Sequence, residues 1–238
     1  MSEYLYNANF TAEMEQDIVA NTYIHVVAES KERNGGYLTQ AEVDSQFAQL
    51  NKDFQSAGIK FELKETTYTV NKEWAHHKGA NYNYAMKKKL RMGKYAELNL
   101  YYIFTFGGRL AGYCNYPEAN VRDLVGDGCV MDHRYLPGSG GYFGEGKVTT
   151  HEVGHWLHLI HTFEGQTCGG KGDQVDDTPP EGTINRDYPE GTDSCPNHPG
   201  KDPIHNHMDY TSDACRTEFT PGQVERAKKA WAAYRKGK

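Results

Sequence analysis

The chain has 238 residues and a formal charge of −6, with no basic run longer than Lys87-Lys88-Lys89. That length suits one large domain, and that charge argues against nucleic acid or another polyanion as partner. No apolar stretch approaches the ~18 residues of a membrane span, so no membrane partner is expected either.

The hydrophobic fraction of 37 % is modest, yet 17 Tyr and 9 Phe bring large apolar surfaces to it, enough for a sizeable core. Met1-Ser2-Glu3-Tyr4 lacks the basic and apolar regions of a signal peptide, so the chain reads as a mature portion without signal or propeptide. Asn9-Phe10-Thr11 is a glycosylation sequon.

In chain order, Thr22 to Ala28 is rich in β-formers. Thr39 to Ser56 is the clearest helix: Thr39 and Glu42 make a capping box, Val43, Phe47, Leu50 and Phe54 recur at helical spacing, and Gly58 stops it. Ile59, Phe61 and Leu63 alternate with charged residues, as in a half-buried strand. Asn81 to Met92 is a more basic helix ended by Gly93. Leu98 to Phe106 reads as a buried strand, with short strands at Leu110 to Cys114 and Val130 to His133. A Gly-rich turn leads into a helix from Val148 to Leu157.

From His161 to Thr217 periodicity disappears, and Gly, Pro, Asp and Asn dominate. So long an irregular run inside a domain points to function, or to cross-links and metal staples. Cys168 and Cys195 bracket part of it, and Cys114 and Cys129 bracket an earlier loop. Two bridges would leave one of the five cysteines over. No Cys-x-x-Cys pair occurs, and the positions fit an oxidising compartment. Thr220, Pro221 and Gln223 open a last helix, with Val224, Ala227 and Trp231 on its apolar side.

The chemistry lies in His151-Glu152-Val153-Gly154-His155. On a helix the two histidines stack on one face and bind one ion, with Glu152 beside it as general base. The bare pattern arises by chance in on the order of one percent of chains this size, so the next residues matter. His161 follows His155 by six, the spacing at which a third imidazole turns back to the metal. Three neutral ligands leave a position for water, as a catalytic Zn2+ requires. Met208, in Asn206-His207-Met208-Asp209-Tyr210, suits an apolar floor beneath them. The competing readings are a closed structural zinc site, with Cys168 or His158 as fourth ligand, and a thermolysin-like arrangement with a downstream Glu as third ligand.

The run from His151 to Phe163 resembles the metzincin signature of pappalysin-type metalloproteases, especially secreted fungal and bacterial members. The likeness continues through Gly172 to Pro179, Asn206 to Tyr210, Asp213 to Cys215 and Phe219 to Gln223, with echoes at Asn51 to Phe54 and Asn71 to Trp74. It implies an α/β (α+β) fold and one catalytic domain over residues 1–238. An upper lobe of twisted mixed sheet with helices covers about 1–161, and an irregular lower lobe closed by the C-terminal helix covers about 162–238.

The resemblance further implies a secreted, extracellular endopeptidase acting on proteins or peptides, with a monomer favoured. Met208 becomes the Met-turn, and Tyr210 the phenol that stabilises the oxyanion. Leu110, Ala111 and Gly112 fall on the edge strand that pairs with an extended substrate. Asp173, Asp176, Asp177 and Thr178 become a candidate Ca2+ site. Arg216 falls where the pocket just past the scissile bond has its wall. Pointing inward it favours acidic or polar side chains; pointing outward it is an ordinary surface residue.

Two departures stand out. His158 occupies a position that the family gives to Gly or Asn, where the backbone is left-handed. The family's cysteine between Cys168 and Cys195 is absent, with Asn185-Arg186-Asp187-Tyr188 there instead, which implies bridges Cys168–Cys195 and Cys114–Cys129 and leaves Cys215 unpaired. A second reading from another class is an idle binding module that keeps the cleft without catalysis; the intact Glu152 argues against it.

Overall fold

The computed structural model describes residues 17–77, 80–108, 110–119 and 123–238, so the Asn9 sequon lies outside the described residues. Five strands form one sheet: β1 (Ile18–Ala28), β2 (Ile59–Val70), β3 (Leu98–Ile103), β4 (Gly112–Cys114) and β5 (Cys129–Asp132), in the order β2-β1-β3-β5-β4. All neighbours are parallel except β4, which runs antiparallel to β5 at the end of the sheet. Among the described residues the helices of ten residues or more are α1 (Gln40–Phe54), α2 (Ala80–Leu90), α3 (Lys147–Trp156) and α4 (Pro221–Ala230), the last continuing as one wide turn over Trp231–Arg235.

Side-chain alternation on the strands splits the core in two. Ile24, Val26, Leu98, Leu100 and Tyr102 face α1, α3 and α4, where Leu50, Phe54, Val153, Trp156 and Met208 complete the larger cluster. Val27, Tyr101 and Ile103 face the other way and pack on Met86 of α2. This period of two is what lets a parallel sheet be covered on both faces.

Several boundaries differ from the sequence-based expectation. β1 begins at Ile18 rather than Thr22, and β2 runs to Val70, because the two pair in parallel from Ile18 opposite Ile59 to Ala28 opposite Val70, with one register shift between Thr22 and Tyr23. The outer half of β2 is an edge with little buried on either face, so its sequence shows no alternation. The capping boxes expected at Thr39 and Thr220 both form.

Between Leu157 and Thr220 the described residues contain no helix or strand, only an isolated bridge from Asn206 to Glu218. Buried polar bonds and a cross-link hold this stretch. Glu181 accepts from Thr162 Oγ1 (2.6 Å) and Asn185 Nδ2 (2.8 Å), and Asn185 also donates to Asp202 (2.9 Å). The bridges are Cys168–Cys195 and Cys114–Cys129, and Cys215 is free and buried. Cys114 and Cys129 face each other across the β4–β5 ladder.

Candidate metal centre and cleft

Helix α3 has no local side-chain cap. The carboxylate of Asp213, distant in sequence, takes that role: its Oδ2 accepts from the N–H of Glu145 (2.9 Å) and Lys147 (3.1 Å), placing negative charge at the positive end of the helix. Gln46 of α1 donates to the Gly146 carbonyl (3.0 Å), and Thr150 donates to Asp53 (2.7 Å). Every residue of α3 is buried, so His151, Glu152 and His155 are presented largely stripped of water.

The far end of α3 explains how a third histidine arrives. His158 has φ of 72°, its N–H donates to His155 O (2.8 Å), and Leu159 N–H donates back to Gly154 O (2.9 Å). This is a Schellman turn, with His158 in the left-handed position that normally belongs to Gly. It reverses the chain and returns His161 over the helix. Arg226 of α4 secures the turn by donating to His158 O (2.8 Å). The imidazole of His158 lies beside Tyr116 and Tyr234, outside the histidine cluster.

His161 Nε2 lies 3.1 Å from both His151 Nε2 and His155 Nε2. The Nδ1 atoms are committed elsewhere: that of His151 donates to His207 O (2.8 Å) and that of His155 to Leu159 O (2.9 Å). Their Nε2 lone pairs therefore face the third ring with no proton to share. Four ligands about 2.0–2.1 Å from a tetrahedral zinc sit roughly 3.3 Å apart, so the spacing fits one such ion. Burial, reinforced by the neighbouring imidazoles, holds His151 well below the usual histidine range. Burial alone takes His155 down to about 4, and burial with the charge of His155 takes His161 to about 3. All three are thus neutral donors at physiological pH. Among the described residues, no other group of three His, Cys, Asp or Glu converges within metal distance.

Met208 is fully buried beneath this cluster, and a side chain at Gly154 would meet its sulfur. Glu152 is also buried, which pushes its pKa up to about 8 against the opposing charge of Arg216. Burial, then the Glu152 charge, raises Tyr210, so its phenol keeps its proton. The Tyr210 ring stands 5.5 Å from that of His151 and 5.0 Å from that of His161.

A pocket of about 190 Å³ opens beside Glu152, lined by Leu110, Ala111 and Gly112 on one side and Tyr210 and Arg216 on the other. The reading of Arg216 as an ordinary surface residue is therefore corrected: it is 2 % exposed and ion-paired to Asp213. It stays inside because Asp213, recruited to cap α3, needs a buried counter-charge.

The acidic turn is occupied with holding α4. Asp177 accepts from Thr220 Oγ1 (2.6 Å) and Gly222 N–H (2.8 Å), while Asp173 accepts from Val175 N–H (3.0 Å) and Gln223 (3.1 Å). Three participants escaped the sequence reading. Tyr116 places its hydroxyl 3.0 Å from His155 Nδ1, His207 lends its carbonyl to His151, and Asp213 caps α3. Each acts across a long sequence separation or through backbone, where no local pattern betrays it.

Comparison with known proteins agrees with this geometry. Residues 80–232 match the peptidase family described as pregnancy-associated plasma protein-A. An extracellular metalloprotease of Pyricularia oryzae is 45 % identical over 93 % of this chain and 77 % of its own length. Extracellular metalloprotease 1 of Coccidioides posadasii is 42 % identical over 95 % of this chain and 82 % of its own length. Among solved structures, mature mirolysin of Tannerella forsythia, in complex with a cleaved peptide, superposes with a TM-score of 0.74 at 28 % identity, covering 90 % of this chain and 91 % of that one. The chain belongs to the pregnancy-associated plasma protein-A peptidase family, the pappalysins, and is a zinc-dependent metalloendopeptidase.

Proposed function

We propose that His151, His155 and His161 hold a single catalytic zinc through their Nε2 atoms, and that the protein is secreted and cleaves other proteins outside the cell. The convergence of three neutral, oriented imidazoles carries the first part. The names of the relatives support the second.

When bound, the zinc supplies a Lewis acid and makes water nucleophilic at neutral pH. Glu152 accepts the proton of the attacking water and later donates it to the leaving amine. The Tyr210 hydroxyl donates a hydrogen bond to the oxygen that gains charge at the scissile carbonyl. Met208 gives the ligands an incompressible apolar floor. β4 ends the sheet with one side unpaired, and an extended substrate lies along it by backbone pairing. The described residues work as one catalytic unit, with the sheet above the cleft and the irregular stretch below it. Zinc is the one metal assigned; at Asp173 to Thr178 the carboxylates of Asp173 and Asp177 accept hydrogen bonds from α4, and no three of the described acidic groups converge there.

Metal analysis together with casein cleavage tests the assignment. One zinc per chain is expected, with cleavage abolished by chelation and restored by zinc. Glu152→Gln should keep the zinc and the fold while cutting turnover by roughly a thousandfold or more. A zinc-loaded Glu152→Gln protein that still digests casein would remove Glu152 from its role. No observation favours an idle binding module.

A further inference from the structure

Arg216 is a buried guanidinium in the wall of the pocket that adjoins the catalytic glutamate. One of its nitrogens, Nη2, is paired to Asp213, and Nη1 lies 3.5 Å from the Asp209 carbonyl. Its Nε–H has no partner. Arg186 lines the same pocket from an exposed position, its guanidinium 5.9 Å from the centre of the Tyr210 ring. Phe143 and Val148 supply apolar wall, and the Phe143 ring lies 5.6 Å from the Arg216 guanidinium.

The position of the pocket says which substrate residue enters it. Glu152 returns its proton to the leaving amine, so the residue carrying that amine must lie against Glu152. The pocket is lined by His151 and Glu152 and not by His155 or His161, which puts it on that leaving-group side.

We propose that this pocket selects an acidic side chain on the residue immediately following the cleaved bond, with Arg216 and Arg186 as its specificity-determining residues. This rests on the protease reading above. The apolar walls take the methylene carbons, and the guanidiniums take the carboxylate, which matches their planar fork of donors. Among the described residues, Glu152 is the single carboxylate on the lining, against two guanidiniums. Asp213 lies behind Arg216 and is already engaged with the N–H groups of Glu145 and Lys147.

The test is digestion of a degenerate peptide library by the zinc-loaded enzyme, with cleavage sites read by mass spectrometry. Asp and Glu should be enriched directly after the cleaved bond by roughly fivefold to tenfold, the scale of a partly screened charge pair. Because Arg216→Ala opens a buried ion pair and can simply unfold the protein, the deciding variant is the exposed Arg186→Glu. It should lower the ratio of kcat/KM for a peptide with Glu after the cleaved bond to that for a Gln-matched peptide by about tenfold. Active enzyme with no acidic enrichment, or with a ratio unmoved by Arg186→Glu, overturns the inference alone. Zinc-loaded enzyme that cuts no peptide overturns the protease reading and takes the inference with it.

Discussion

At the scale of single residues, the site is arranged by what is absent as much as by what is present. Gly112 lies on the edge strand opposite Glu152, and a Cβ there would come within 3.0 Å of Glu152 Cγ and 3.0 Å of Val130 O. The ladder fixes the carbonyl, so the flexible glutamate would be the one to move. Glutamate movement leaves the contact with the carbonyl in place, so Gly112→Ala should lower the melting temperature by about a few degrees and also lower kcat about tenfold, as expected when Glu152 is displaced by a fraction of an ångström; steady-state kinetics and a melting curve check both halves. The nearness of His151 and His155, with Glu152 beside them, was legible in the sequence because helix geometry ties their spacing directly to one face. The approach of His161 was legible from its spacing after His155, and the burial of Met208 from the short motif around it. Asp213 as the cap of α3, Tyr116 on His155 and the inward course of Arg216 were not legible, since each depends on contacts fixed only when distant segments pack. Cys215 was expected to stand alone, and its burial could not be read from the missing partner.

Among the elements, β1 carries an unusual core residue. His25 is fully buried and neutral: its Nε2 donates to Asn99 Oδ1 (3.0 Å) and its Nδ1 accepts from Thr67 Oγ1 (2.7 Å). Burial lowers its pKa from 6.5 to about 4. The folded state therefore resists a proton that the unfolded chain accepts below pH 6.5. Stability is complete above that pH, falls by about 1.4 kcal/mol per unit as pH drops, and levels off near pH 4 after a loss of roughly 3 kcal/mol. His25→Gln should be less stable at pH 7 yet show a visibly shallower fall between pH 6.5 and 4.5, measured by urea unfolding of zinc-loaded protein. Element existence was readable from pattern wherever burial imposed a period, as on α1 with its Thr39 capping box. Where pairing rather than packing holds a strand, as along the outer half of β2, composition carried no period and the strand's length was missed.

For the whole molecule, a buried ion pair joins the middle of the chain to its C-terminal end. Arg235 stacks 3.7 Å above the Trp156 ring, donates to Trp156 O (3.0 Å) and pairs with Asp127 (3.0 Å), which also accepts from Arg91 (3.2 Å). Trp156 ends the helix that carries the histidines, so this pair seats the catalytic helix from below. Asp127→Ala would strand two buried guanidiniums and should cost about 3–5 kcal/mol in urea unfolding, whereas replacing an exposed acid such as Glu118 should cost little. The irregular lower half carries a long, largely exposed segment without helix or strand. Its chain between 168 and 195 has few buried anchors and many surface residues. The Cys168–Cys195 bridge spans just that stretch. A cut anywhere inside it leaves both new ends covalently tied to their neighbours, so self-digestion there nicks the enzyme without releasing a piece of it.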